Sequence, residues 1–468
     1  MRPKQSRYMN KNLIPKDAAE QFDVEGLKAM VSELLDEAGR QGASAAEVGG
    51  NLASGLSVTV RKGEVETIEH NRDKGMGVTV YFGQRKGSAS TTEFSSGAVK
   101  STVRAACDIA RYTAEDPCHG LAPEELMATE IPDLDLFHPW GLNPERAITL
   151  ARECEKAALE ADPRISNSEG GAVNSHAGFY VYGNSHGFLG AYPTTRHSIS
   201  CAVIAGEGGE MQRDYWYSTA RNAELLEPVE SVGHRAAERT VQRLNGRRLS
   251  TRQVPVVFSA EIANSLLSHF VSAVRGGALY RKSSFLVDHL GKQIFPGFVH
   301  IYEQPHLKGA LGSAPFDNEG VVTRQRDLVR DGVLQSYVLD NYSACKLGMQ
   351  TTGNAGGVHN LTIAPGSGGE HASEDLSLQG LLKQMDQGLL ITELMGQGVR
   401  LITGDYSRGA AGFWVEGGEI RYPVEEITVA GNLRDMFARL VMVGNDVDLR
   451  SNMRTGSWLV EQMTIAGE

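Results

Sequence analysis

Cysteine is scarce and scattered. The 468 residues hold five, Cys107, Cys118, Cys154, Cys201 and Cys345, with no Cys-x-x-Cys pair. An odd, dispersed set argues against a disulfide framework or a zinc ribbon and fits a reducing cytoplasm. No apolar run approaches the roughly 18 residues of a membrane span. The basic start, Met1-Arg2-Pro3-Lys4-Gln5, is followed by no apolar stretch, so no secretory signal is expected. The dipeptide His-Glu is absent. With it goes the zinc-peptidase helix in which two histidines one turn apart share a face with a glutamate base. Walker-type and complete Gly-x-Gly-x-x-Gly signatures are also missing, so nucleotide binding has no support. Basic residues are outnumbered, 46 Lys and Arg against 57 Asp and Glu. The resulting net charge of −11 repels phosphate and argues against nucleic acid as a direct partner.

Glycine, by contrast, is abundant. Average usage of about 7% would give roughly 33, whereas the chain has 53, without a Gly-X-Y period. Many tight turns and close backbone approaches follow, as in a strand-rich protein. The length predicts two or three domains. Residues 1–22 show no periodicity and read as a flexible tail. From Leu27 the apolar positions Met30, Val31, Leu34, Leu35 and Ala38 fall at helical spacing. Strands are predicted at Leu56 to Val60, around Val65 and Ile68, at Gly77 to Phe82 and at Gly87 to Thr91. A helix capped by Ser95 or Ser96 follows.

Five prolines between Thr113 and Pro144 mark a linker or wrapped loop. A second helix–strands–helix succession then runs over about 145–245, after a first over about 25–112, an order consistent with a duplication. A buried-strand signal at Val254 to Phe258 enters a helix at about 260–275 carrying His269. Further helices are predicted near 376–386, 389–396 and 431–439. Strand runs mixed with segregated helices define an α+β protein. A mixed α/β N-terminal domain with antiparallel strands and helices (23–245) is followed by a strand-rich C-terminal domain (246–468).

Four local patterns bear on chemistry. Gly183-Asn184-Ser185-His186-Gly187 matches the nucleophile elbow of α/β-hydrolases, which needs a strand before and a helix after. Phe188 to Pro193 cannot start a helix well, so a hairpin turn explains it better than a catalytic Ser185. His176, His186 and His197 share one strand-rich stretch; hydrogen-bonded histidines beside turns explain them better than a zinc site. The segment from Thr403 to Gly418 sets Asp405, Tyr406 and Arg408 among glycines and aromatics. Glycines let another backbone approach, and the Arg408 guanidinium can fork onto a carboxylate. A pair of structural loops with an Asp405–Arg408 salt bridge explains the pattern equally well. The fourth, Gly276 to Lys282, places Tyr280 and Arg281 just past the His269 helix. His269, Tyr280, Arg281, Asp405, Tyr406 and Arg408 are therefore the candidate substrate- or partner-binding residues.

Several of these segments resemble the TldD/PmbA family, the modulators of DNA gyrase, and within it the PmbA (TldE) branch. The matching stretches are Arg85-Lys86-Gly87-Ser88-Ala89-Ser90, Ala110-Arg111-Tyr112-Thr113, Asp133-Leu134-Asp135-Leu136-Phe137-His138-Pro139 and Gly183 to Gly187. Tyr280-Arg281-Lys282-Ser283, Thr392-Glu393-Leu394-Met395-Gly396-Gln397-Gly398, Gly404 to Trp414 and Ala430-Gly431-Asn432-Leu433 extend the likeness to nearly the whole chain from about residue 25.

The resemblance implies a cytoplasmic, heterodimeric metalloprotease acting on unfolded or extended peptides, among them a peptide-antibiotic precursor and an antitoxin. It also implies that zinc belongs to the TldD subunit, held by a His-Glu-x-x-x-His helix and a cysteine near the C-terminus. Here that helix corresponds to about 260–275 without the motif, and the cysteine position falls at Thr455. No catalytic residue and no metal ligand carries over. The expectation is a subunit without its own cofactor, partnered by a TldD-type zinc subunit and able to form a homodimer in isolation, with no nucleic acid or membrane partner. The rivals are a regulatory binding module, touching gyrase or an RNA-binding regulator, and a stand-alone hydrolase using Ser185.

Overall fold

The computed structural model describes residues 16–368 and 372–467. The N-terminal half comprises α1 (Lys16–Gln21), α2 (Val24–Arg40), β1 (Ala45–Arg61), β2 (Glu64–Phe82), β3 (Arg85–Thr91), α3 (Ser96–Tyr112), α4 (Pro144–Ala161), β4 (Ile165–Asn184), β5 (Leu189–Glu207), β6 (Glu210–Ala220) and α5 (Val229–Gln242). Within the expected tail, α1 is helical and Ala18 and Phe22 are buried, Phe22 packing on Phe137 and Phe179. The rest of that expectation, 1–15, lies outside the described residues.

Six antiparallel strands form one sheet in the order β3-β2-β1-β4-β5-β6. Two helix–three strands–helix units thus meet edge to edge along β1 and β4, in register from Glu47–Asn184 to Val60–Gly171. The two strands expected around Val65 and at Gly77 to Phe82 are a single long β2, because β1 pairs with it throughout. Alternation sends Val48, Val78, Val80 and Val181 into the core under α2 and α3, while Val58, Val173 and Val203 pack under α4 and α5. Polar and aromatic residues point from the opposite face. Ser95 caps α3 by accepting from Ala98 N.

The C-terminal half contains β7 (Arg252–Phe258), α6 (Ala260–Val274), α7 (Gly276–Tyr280), β8 (Ile301–Glu303), β9 (Arg326–Arg330), β10 (Val333–Leu334), α8 (Asn341–Lys346), β11 (Leu361–Ile363), β12 (Gly366–Ser367), α9 (Leu378–Met385), β13 (Gly388–Met395), β14 (Val399–Arg400), β15 (Asp405–Glu416), β16 (Glu419–Asn432), α10 (Leu433–Ala438), β17 (Leu440–Val443), β18 (Met453–Arg454) and β19 (Trp458–Ala466). β7 pairs with both β13 and β19, so β19, β16, β15, β13 and β7 close into a ring of pairings. A five-stranded sheet, β10-β9-β8-β11-β18, lies beside it.

The helix expected at 389–396 is strand β13. Leu389 and Ile391 face the main core, whereas Leu390 faces a second cluster with α9. Burial on both faces produces an apolar run without alternation, which periodicity cannot separate from a buried helix.

The scattered cysteines include one pair the sequence argued against. Cys118 and Cys345, 227 residues apart, are disulfide-bonded, tying the proline-rich loop to α8. That loop also crosses to the C-terminal half through Met127 and Val321, and through Lys346 to Asp116 at 2.8 Å. No helix among the described residues is long and apolar enough to cross a membrane.

The β13–β15 contact is close enough to test. A Cβ on Gly412 would stand 1.9 Å from the Leu390 carbonyl oxygen. Gly412→Ala is expected to cost about 2 kcal/mol or more, read as a fall in Tm; an unchanged Tm would show that these strands lie farther apart.

Candidate functional site

Helix α6 leaves β7 and carries His269 against the start of β15. Strand alternation puts Tyr406 and Arg408 on one face of β15, and Asp405, three residues from Arg408, on the other. His269 and Tyr406 meet ring to edge at 6.1 Å. Burial, then the Arg408 charge, lowers the His269 pKa and disfavours the imidazolium. Burial pushes the Tyr406 phenol up to about 12. His269 Nε2, Tyr406 OH and Arg408 Nε are all buried without a hydrogen-bond partner of good geometry among the described residues, and the Arg408 guanidinium stands beside both rings.

Asp405 does not pair with Arg408. Its carboxylate takes Thr403 Oγ1 at 2.6 Å and Asn432 Nδ2 at 3.3 Å on the exposed side. The segment, for which structural loops are one of two readings, is a strand, and its glycine at 412 has a backbone cause: a Cβ there would strike the Leu390 carbonyl at 1.9 Å. Tyr280 and Arg281 form a separate group: Arg281 donates to Tyr280 OH at 2.9 Å, and Tyr280 packs edge-on against Tyr342 of α8.

The residues at α6 do not fit a zinc ion. His269 Nε2 is the one free nitrogen donor on the helix, and a guanidinium stands beside it. The Thr455 hydroxyl is committed, donating to Gly456 O at 2.9 Å and accepting from Trp458 Nε1 at 2.6 Å. Among the described residues no three of His, Cys, Asp or Glu converge as a metal site would require.

Ser185 closes the β4–β5 hairpin, with its Oγ accepting Ala46 N at 3.1 Å. No helix follows, so it is a turn residue, as the sequence favoured. His197 is held by Ser175 Oγ and His138 O, at 3.0 and 2.8 Å, and His176 is exposed. The three histidines do not form a ligand set.

A site not apparent in the sequence lies between the two halves. The helix-free face of the N-terminal sheet carries Glu47, Tyr180, Tyr182, Tyr192 and Arg196. Opposite stand the turns 313–320 and 353–359 of the C-terminal half. Phe316 inserts between them, 5.4 Å from Tyr192 and 6.3 Å from Tyr180, centroid to centroid. Gly356 has φ +102, and a Cβ there would meet Asn318 Nδ2 at 2.6 Å, so the turn closes only with glycine.

On one side lies a cavity of about 510 Å³ walled by Glu47, Tyr182, Glu319 and Asp340. Glu47 accepts both Tyr81 OH and Tyr182 OH at 2.8 Å. A second cavity of about 410 Å³, walled by Arg196, Arg221, Ser313 and His359, shares Asn318, Ala355 and Gly356 with the first. The two make one groove, acidic at one end and basic at the other. None of these residues sits in a motif; the nearest signals were the polar, glycine-broken runs Asp317-Asn318-Glu319-Gly320 and Asn354-Ala355-Gly356-Gly357.

The fold and its parts are those of a metallopeptidase. Residues 251–467 match the PmbA/TldA metallopeptidase C-terminal domain, 137–244 the central domain and 46–110 domain 1. The chain belongs to the PmbA/TldD family. Metalloprotease PmbA of Escherichia coli O157:H7 is 54% identical over 442 residues, covering 94% of this chain and 96% of that protein. The crystal structure of a candidate modulator of DNA gyrase from Bacteroides thetaiotaomicron superposes with a TM-score of 0.89 at 30% identity, covering 96% of this chain and 100% of that one. TldE from Thermococcus kodakarensis shares the fold, with a TM-score of 0.81 at 21% identity over 94% of this chain and 100% of its own.

Burial and the Asp317 charge raise Glu319 from its ordinary 4.5 to about 8. Folded protein therefore holds a proton that unfolded protein releases between those values, and stability falls as pH rises across them. Glu319→Gln keeps an oxygen for the Asn341 N–H, now accepted at 2.9 Å. Thermal melts between about pH 5 and pH 8 are expected to lose up to one proton of linkage in this variant, about 1.4 kcal/mol per pH unit. An unchanged slope would reject a buried, protonated Glu319.

Proposed function

We propose that this chain is the PmbA-type subunit of a heterodimeric metalloprotease that cuts unfolded or extended peptides, with the zinc ion on a TldD-type partner. The observation that carries the reading is the mismatch at α6. A family of metallopeptidases here presents His269, Arg408 and Thr455, which offer no ligand set and no carboxylate base. This chain contributes walls and contacts instead. His269, Tyr406 and Arg408 offer three unpartnered polar atoms to a peptide or to the partner subunit. Tyr280 and Arg281, past the end of α6, add a separate contact surface. The six-stranded sheet ends at β3 and β6, edges to which an extended chain adds by backbone hydrogen bonds. The family resemblance supports a peptide-antibiotic precursor and an antitoxin as its substrates. It also supports a cytoplasmic site of action.

Mixing this chain with a TldD protein that carries an intact His-Glu-x-x-x-His helix is expected to cleave an unstructured casein-like peptide, with neither chain cleaving alone. Chelation abolishes the activity and zinc restores it. Cleavage by this chain alone, or none from the mixture, overturns the assignment. In the mixture, Arg408→Ala is expected to lower kcat/KM by about tenfold, the order of one lost charged hydrogen bond. Full activity in that variant would remove the β15 face from the substrate path.

A further inference from the structure

The basic end of the interdomain groove holds a buried charge without a counter-ion. Arg221 is 8% exposed. Its guanidinium donates to Ala310 O at 2.9 Å, Leu311 O at 2.9 Å and Thr195 O at 3.2 Å. Carbonyl dipoles satisfy the N–H groups but do not neutralise the charge, and an unpaired buried cation is costly. A second cation makes matters worse: Arg196, on the helix-free sheet face, opposes the Arg221 charge. Arg196 is exposed and donates to Thr219 Oγ1 at 3.2 Å. Among the described residues neither arginine pairs with a carboxylate. Two cations therefore line a cavity of about 410 Å³ that no acid among the described residues lines.

A third polar group defines the ligand further. His359 lines the same cavity. Its Nδ1 faces Gly312 O at 3.3 Å, which makes Nδ1 the protonated nitrogen and leaves Nε2 an acceptor. That Nε2 is buried and has no partner. Burial also disfavours the imidazolium. The cavity thus asks for an anion and, close to it, an N–H donor. The adjoining wall of Glu47 and Asp340 repels polyanions such as nucleotides.

We infer that this cavity is a recognition site for the carboxy-terminal carboxylate of a peptide, with Arg196 and Arg221 holding the carboxylate and His359 Nε2 accepting a backbone N–H of the terminal residues. Beyond them the chain runs past Gly356 toward the acidic end, which suits cationic side chains. The ligand class rests on the peptide reading above; the site itself does not.

The test is binding by the full chain, without partner or cleavage. The probe is an amino-terminally dye-labelled decapeptide of Gly, Ser, Ala and Leu, followed by fluorescence anisotropy as its free acid and as its carboxamide. The free acid is expected to bind at least about tenfold more tightly, the size of one charge-assisted pair. Arg196→Gln, at an exposed position, is expected to shrink the preference to about twofold or less. Arg221→Gln, accepted only if its melt remains cooperative, does the same. A carboxamide peptide with an internal glutamate separates the sources, and its binding as tightly as the free acid assigns the site to side-chain acids and overturns the terminal reading. Equal binding of acid and amide, a preference that survives Arg196→Gln, or displacement by inorganic phosphate but not by acetate also overturns it. Failure of the mixed protease assay would leave this result standing, and failure here would leave that assay intact.

Discussion

The groove exists because one carboxylate is buried between two turns. Asp317 is 1% exposed, yet its oxygens accept three backbone N–H groups: Glu319 and Val321 through Oδ1 and Ala355 through Oδ2, each at 2.9 Å. Those bonds fold the 317–321 turn and pin it to the glycine turn at 353–357. The same turn takes up the wrapped loop of the N-terminal half, through Ala128 N to Gly320 O and Val322 N to Leu126 O. Burial nonetheless raises the Asp317 carboxyl to about 6, against the lowering by its amide donors. The Asp317 charge is felt next door at Glu319. Asp317 itself holds the turns whose Asn318, Ala355 and Gly356 wall both cavities.

Around that point the halves are joined by contacts that tolerate a cleft. Phe316 fills the gap beneath Tyr180, Tyr192 and Phe188 as an aromatic plug. At the far side Trp216 is flanked by Arg235, Arg239 and Arg450, at 4.6, 5.2 and 4.1 Å from its ring. Glu261 of α6 takes two of these cations, Arg239 at 3.0 Å and Arg450 at 3.6 Å. Helix α6 is thereby tied by its first turn to the N-terminal half. Its outward carboxylate is a structural anchor, unavailable as a base.

What was legible in the sequence was whatever alternates or caps. Ser95 before α3, the β4–β5 hairpin at Ser185 and the amphipathic α2 and α5 each carry a local signal, and each forms. The α+β division into a mixed half and a strand-rich half follows from the same signals. Strand β13 was misread because burial on two faces erases the period. β2 was divided because Glu69 to Lys74 are exposed and carry no apolar marker. His269, Tyr406 and Arg408 were found by residue type and do converge. Asp405 was grouped with them by proximity in sequence, which strand geometry reverses at an odd spacing. The groove was invisible for a different reason: Glu47, Arg196, Arg221, Glu319 and His359 are scattered over more than 300 positions, and only the pairing of β1 with β4 and the Asp317 turn bring them together.

That scattering bears on chemistry. The chain has a net charge of −11, so an arginine in a partly closed cavity finds carboxylates nearly everywhere except where the fold withholds them. At α6 the fold sets a cation and a phenol beside His269. In the groove it sequesters acid at one end by hydrogen-bonding Glu47 to two tyrosines and burying Glu319, and leaves Arg221 to carbonyls alone. Both arrangements raise the local preference for a ligand bearing its own negative group, against the sign of the molecule as a whole. Such a preference is a property of low-dielectric placement, since the same two arginines on an open surface would be screened within about 8 Å at physiological salt. Partial enclosure, supplied by the Asp317-held turns, therefore converts two ordinary side chains into a selective pair.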